Sequence, residues 1–200
     1  MKILSSRLFV APRGVQMEER VYALLGIAAF LVAYTSIGVS IILSPWFSWQ
    51  ENALSDLGHS TRSRVAPIFN LGLLAAGALF TIYAVTAFRR YAKYTSVSAL
   101  ISAFTLQSVA TFDEVYGFLH FVVSVLLFAS LGVTSILYAV ERKSLLALIA
   151  FAVGLGSWIL YWLGTYHAGI AVPNHIVPSR SSLNRVLRRQ DIPETITFKD

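Results

Sequence analysis

The reactive groups available to this chain are few and unevenly placed. It has no cysteine, four histidines and ten carboxylates. Disulfides, thiolate metal sites and cysteine nucleophiles are therefore excluded. No Ser-His-Asp order, HExxH, phosphate loop or GxGxxG occurs either. The most informative stretch runs from Ser44 to His59, SPWFSWQENALSDLGH, and gathers Asn52, Ser55, Asp56 and His59. Further along come Asn70, Gln107, the pair Asp113 and Glu114, His120 with Ser124 one turn deeper, then His167 and His175.

Two chemistries suit these types. Asp56 and His120, with Glu114 or Asp113, are candidate ligands for a divalent metal, because imidazole plus carboxylate suits zinc and several other transition metals. Asp56 paired with His120 is otherwise the candidate catalytic pair for general acid–base work. Asn52, Ser55, His59, Asn70, Asp113, Glu114 and His167 are the candidate binding residues around it. A b-type haem needs two histidines inside spans; only His120 qualifies, so haem is not expected. Each residue also has a structural reading. Asn52 and Asp56 can satisfy loop amides, Asn70 can make one interhelical bond, and His120 can bond a neighbouring carbonyl.

The elements that must position these residues are helices in a membrane. Hydrophobic residues make up 56% of the chain and charged ones 13%, against about 25% charged in a soluble domain. Mean hydropathy is +0.66. Five stretches are long and apolar enough to span, at about 20 residues each: Val21 to Leu43, Ala66 to Phe88, Thr95 to Phe112, Phe118 to Val140, and Ser144 to Gly164. None carries Lys, Arg, Asp or Glu in its interior. The expected fold is an all-α polytopic bundle (residues 17–177), with a basic extension before it (1–16) and a polar basic tail after it (178–200). Small-residue stripes read as helix–helix seams: Gly26, Ala29, Ala33, Ser36 and Ser40 in the first span, Ser98, Ser102 and Thr105 in the third, and Ala147, Ala150, Gly154 and Ser157 in the fifth.

Basic residues set the orientation. Lys2, Arg7, Arg13, Arg20, Arg89, Arg90, Lys93, Arg142 and Lys143 fall on one side, nine in all, against Arg62 and Arg64 on the other. The positive-inside rule then makes the N-terminus cytoplasmic in a multi-pass cell-membrane protein. The net charge of +6 reports topology and lipid headgroups; membrane lipids and a membrane-protein partner are expected, and nucleic acid is not. The tail, with Arg180, Arg185, Arg188, Arg189 and Lys199, breaks the pattern. Either it stays outside, or residues 166–177 re-enter as a sixth segment. On this topology Asn52, Asp56, Asn70 and His120 meet at the outer boundary. Residues 44–58 read as an amphipathic surface helix: Ser44 caps it, Pro45 suits its first turn, Gly58 its end. Asn52, Ser55, Asp56 and His59 share its polar side; Trp46, Phe47, Ala53, Leu54 and Leu57 lie opposite.

The run PWFSWQENALSDLGHSTRSRVAPIFNLGL resembles an uncharacterised family of multi-pass membrane proteins, domain of unknown function 998. The matching positions are Asn52, Leu54, Ser55, Asp56, Leu57, Gly58, Phe69, Asn70 and Gly72, and His120 is similar to a histidine that opens a later span. The resemblance covers about Val21 to Pro173. It implies a six-helix bundle of unknown activity, archaeal or bacterial. The chain departs in Gly169 to Asn174, where Asn174 stands in place of the family's Glu, and residues 179–200 are too charged for its sixth span. The leading functional expectation is a membrane protein whose outer-face site recognises a lipid headgroup or a membrane partner. The alternative is a membrane-embedded hydrolase of lipid, metal-assisted or not.

Single cysteines placed in this cysteine-free chain test the orientation. One beside Asp56 should react with an impermeant thiol reagent on intact cells, and one beside Arg89 only after permeabilisation. The reverse pattern would put the Asp56 cluster in the cytoplasm.

Overall fold

A computed structural model describes residues 13–163; His167, His175, the stretch 166–177 and the basic tail lie outside them. Helix α1 is Arg13–Ile42 and starts ahead of the apolar run. A 3-10 turn at Leu54–Gly58 precedes α2, Ala66–Tyr83. That helix runs on through a π-helical turn, Ala84–Phe88, and a last turn, Arg89–Tyr91. Helix α3 is Lys93–Thr111. A second 3-10 turn, Glu114–Tyr116, leads to α4, Phe118–Arg142, and then α5, Leu145–Trp162. No strand occurs among the described residues. Each helix packs on the next in chain order.

Among the described residues three segments are long and apolar enough to cross a membrane: Val21–Ile42, Ala66–Tyr91 and Phe118–Arg142. The other two expected spans are helical but differ in kind. Leu145–Leu160 is a shorter apolar helix. Helix α3 is diluted by hydroxyl residues, and it turns Thr95, Ser96, Ser98, Ser102 and Thr105 inward. Ser98 and Ser102 Oγ lie 2.8 and 3.2 Å from Thr134 Oγ1 of α4, and Thr105 Oγ1 lies 3.3 Å from Ser130 Oγ.

The interior is built of small residues and the exterior of large apolar ones. Ala29, Ala76, Ala84, Ala99 and Ala103 are buried beside Ser40, Thr95 and Ser102, while Leu31, Ile42, Phe104, Val140 and Leu146 point outward. That distribution is the reverse of a water-soluble core and fits a lipid surround. The α1–α2 seam is the tightest of the contacts. A Cβ at Gly72 would lie 2.1 Å from the Ser36 side chain, and one at Gly26 would lie 3.1 Å from the Tyr83 ring. The stripe expected in α5 is not its contact face: Ala150, Gly154 and Ser157 are exposed. Aromatic side chains make that contact instead. Trp158 meets Phe128 edge-on at 5.5 Å, and Phe151 fills the space above Gly132.

The segment after α1 is not the expected amphipathic helix. Residues 44–53 form turns, and only Leu54–Gly58 is helical. Local side-chain bonds outcompete the helix. The Ser48 N–H donates to Asn52 Oδ1 at 3.0 Å, the Gln50 N–H to Ser48 Oγ, and the Ala53 N–H to Asp56 Oδ2 at 2.8 Å. Ser44 does not cap; its hydroxyl is buried without a partner among the described residues. The apolar side still faces inward. Leu57 is fully buried with Val65, Phe69, Leu73 and Ala110, and Phe47 and Leu54 pack against them. Phe47 also sits edge-on between Trp46 and Trp49.

Gly72→Ala should therefore cost about 1–3 kcal/mol by overpacking the α1–α2 seam. Adding Ser36→Gly should restore most of it, whereas Gly154→Ala, with open space around it, should stay within about 0.5 kcal/mol. Thermal unfolding in detergent measures all three.

Candidate functional site

Asp113 fixes the geometry at the loop end of the bundle. Its Oδ1 accepts from the Val115 N–H at 3.0 Å, capping the second 3-10 turn. Its Oδ2 accepts from the Ser60 N–H at 3.1 Å. One buried carboxylate thus ties the loop after α1 to the loop before α4, its charge balanced by two backbone donors. Gly117, at φ 53 and ψ −111, takes a backbone conformation open to glycine and turns the chain into α4.

That clamp sets Glu114 against the first 3-10 turn. The Ser55 hydroxyl donates to Glu114 Oε1 at 2.8 Å. The Glu114 carboxyl also lies beside that of Asp56. Burial, and then the Asp56 carboxyl, push Glu114 up to about 7, against the opposing pull of the Ser55 hydroxyl and the Arg62 charge. Asp56 is better supplied: besides the Ala53 N–H, it accepts from Asn52 Nδ2 at 3.4 Å. The result is a half-buried Glu114 carboxyl that keeps its proton up to about pH 7 beside the Asp56 carboxyl.

Beside the pair lies an open cleft of about 240 Å³, lined by Trp46, Asn52, Asp56, His59 and Arg62. His59 is buried, with its Nδ1 3.3 Å from the Thr61 hydroxyl. The residues grouped by helical phase therefore do share a site in part. Asn52, Asp56 and His59 line the cleft, whereas Ser55 faces Glu114.

Asn70 and His120 serve the scaffold. Asn70 Nδ2 donates to the Gly58 carbonyl at 2.8 Å, fastening the 3-10 turn to α2. The approach is so close that a Cβ at Gly58 would lie 2.5 Å from Asn70 Oδ1 and 2.9 Å from the Phe69 ring. His120 is buried, and its Nδ1–H donates to the Phe112 carbonyl at 2.7 Å. That bond fixes the tautomer and leaves Nε2 toward Ser124 at 3.4 Å. Asp56 lies beside Glu114, and its hydrogen bonds go to Asn52 and Ala53, not to His120. Among the described residues no three His, Asp or Glu side chains converge as metal ligands. The candidate set Asp56, His120 and Glu114 is not gathered as a three-residue metal group: the His120 Nδ1–H goes to the Phe112 carbonyl, and Asp56 lies beside Glu114. His167 lies outside the described residues.

Two devices escaped the sequence reading. One is the direct approach of Glu114 to Asp56, two residues that the sequence groups only as candidate ligands of a shared metal. The other is Glu141, at the opposite end of the bundle, which accepts from the Thr95 N–H at 2.8 Å, the Thr95 hydroxyl at 2.6 Å and the Tyr94 N–H at 3.2 Å. It caps α3 from α4, a tertiary role that local spacing does not reveal.

A family model described as a protein of unknown function (DUF998) matches residues 27–178, more than half of the chain. The match takes in both carboxylate-bearing loops. No curated protein and no solved structure matches the chain.

Glu114 gives the site a pH signature. The folded chain holds this proton up to about pH 7, whereas the unfolded chain releases it near 4.5. Its contribution to stability is full below about 4.5 and is lost as pH rises through about 7. Glu114→Gln keeps an acceptor for Ser55 and removes the titration. It should raise the melting temperature at pH 8 by about 2–4 °C and flatten its fall between pH 5 and 8; an unchanged slope would place the titration elsewhere.

Proposed function

The chain belongs to the DUF998 family, and from that premise we propose that it is a five-span membrane protein whose outer-face cleft binds the headgroup of a zwitterionic phospholipid. The nine-to-two distribution of basic residues supports a cytoplasmic N-terminus and an outward-facing cleft. The observation that carries the binding reading is the cleft's mixed lining: one cation, one carboxylate and one exposed indole around about 240 Å³. Arg62 suits a phosphate oxygen. Asp56 and the Trp46 face suit an ammonium group. Asn52 holds the Asp56 carboxylate in place. The surrounding apolar helices bring lipid to the rim.

A hydrolase acting on the same lipid is the second reading, and one observation favours it. A carboxyl that titrates near 7 beside a second carboxylate is suited to general acid–base work at neutral pH. On this reading Glu114 and Asp56, rather than His120, carry the proton transfers.

Lipid retention in nanodiscs of phosphatidylethanolamine and phosphatidylglycerol, read by native mass spectrometry, tests both. Arg62→Gln and Asp56→Asn should each lower retained phosphatidylethanolamine about fivefold, the effect of about 1 kcal/mol at a half-exposed charge. Retention equal to wild type in both variants overturns headgroup binding. Loss of intact lipid with time, abolished by Glu114→Gln, would favour the hydrolase.

A further inference from the structure

The opposite end of α2, about 30 Å from Asn70 at 1.5 Å per residue, carries a second cleft that the outer-face reading leaves unused. Its volume is about 490 Å³, and its lining is Tyr22, Val85, Thr86, Arg89, Arg90 and Lys93. Three elements build it. Tyr22 comes from α1, Val85 and Thr86 from the π-helical turn, Arg89 and Arg90 from the last turn of α2, and Lys93 from the start of α3.

The backbone explains why the cations converge. The π-turn widens α2 by one residue just before its end. Ala92, wholly buried and extended at φ −141 and ψ 88, then reverses the chain within one residue. Arg89 and Lys93 consequently flank one opening instead of lying on separate helices. The first amides of α3 are not what an anion would meet there, since Glu141 already accepts from Tyr94 and Thr95. Nor is Arg142 available to it, being stacked over the Tyr91 ring at 3.8 Å. Among the described residues the lining holds Arg89 and Lys93 beside Arg90, one hydroxyl and one phenol, and no carboxylate.

We propose that this cleft binds a phosphate group, with Arg89 and Lys93 as its principal ligands. Positive charge concentrated in a concave site selects an anion, and the fork of Arg89 suits phosphate oxygens. Val85 and Tyr22 give the cleft an apolar wall at the end of an apolar helix. The phosphate of an anionic phospholipid and a soluble phosphate share this chemistry.

The test uses the full chain with two probes. In nanodiscs of phosphatidylcholine containing phosphatidylglycerol, native mass spectrometry reads the retained anionic lipid. In detergent free of anionic lipid, inorganic phosphate is titrated and read by thermal shift. At least one probe should bind, and the double variant Arg89→Gln/Lys93→Gln should weaken it about thirtyfold, at about 1 kcal/mol per cation. Val85→Trp fills the cleft and keeps every cation; it should weaken binding as well. Arg64→Gln/Lys143→Gln removes two cations outside the cleft and should change binding less than twofold. Retention of phosphatidylglycerol without a phosphate shift assigns the site to a lipid headgroup, and the converse to a soluble phosphate; either supports it. Binding by neither probe overturns the proposal. So does binding that survives the double variant, or that survives Val85→Trp, since the anion would then be responding to surface charge alone. The altered side chains are exposed, and unchanged melting temperatures confirm that the variants fold.

Discussion

A bundle whose outside is apolar gains little from burying apolar surface against itself, so its helices are held by how closely their backbones approach. Here that approach is set where Gly72 of α2 meets Ser36 of α1, with no room for a single added carbon. The same logic recurs where Gly77 faces Gln107 of α3. Small residues make the seams possible, but they also bring hydroxyls into the interior, and each one needs a partner. Ser36 and Ser40 return their hydrogens to carbonyls three and four residues earlier in α1. Ser98, Ser102 and Thr105 reach Thr134 and Ser130 across the α3–α4 seam. Polar residues in this interior are thus a consequence of tight packing before they are candidates for a path.

The tight pairs also decide how the loops meet. With α2 and α3 locked together, the loop after α1 and the loop before α4 emerge side by side, close enough for Asp113 to accept an amide from each. Three carboxylates then occupy a small volume, and donors are divided unequally among them. Asp113 has two amides, Asp56 an amide and an amide side chain, and Glu114 one hydroxyl and a carboxyl neighbour. Glu114 is pushed up to about 7, first by its burial and then by the Asp56 carboxyl. At the other end Glu141 shows the contrast: given two amides and a hydroxyl, a carboxylate becomes a helix cap.

Much of this was legible in the sequence, because apolar run length and small-residue spacing are local properties. All five helices fall where the runs put them, and the α1 and α3 stripes are buried seams. The surface helix was misread for a physical reason. Periodicity counts which residues are apolar, but it does not weigh the competing bonds that Ser48, Asn52 and Asp56 make to nearby amides. The partner of Asp56 was illegible for another reason. Depth in the membrane brings His120 and Glu114 to one level, and only the tertiary clamp at Asp113 chooses between them. The α5 contact face failed because Phe151 and Trp158 offer more contact than a small-residue stripe could.

The residues that carry the family resemblance can now be sorted by what each side chain does. Asn52 closes a turn, Leu54, Leu57 and Phe69 fill the apolar cluster, Gly58 admits Asn70, and Gly72 admits Ser36. Those roles fasten one loop to the end of α2, and none of them needs a ligand. Ser55 and Asp56 are different. Each reaches Glu114, on a loop 59 residues away from Ser55, and Asp56 also lines the cleft. A scaffold built to hold a loop could end at the glycine and asparagine contacts. That this one also brings together two carboxyls, which repel once both are charged, is a cost to folding above neutral pH. That cost bears on the proposed function, which sets Asp56 against an ammonium group and, on the second reading, gives Glu114 and Asp56 the proton transfers.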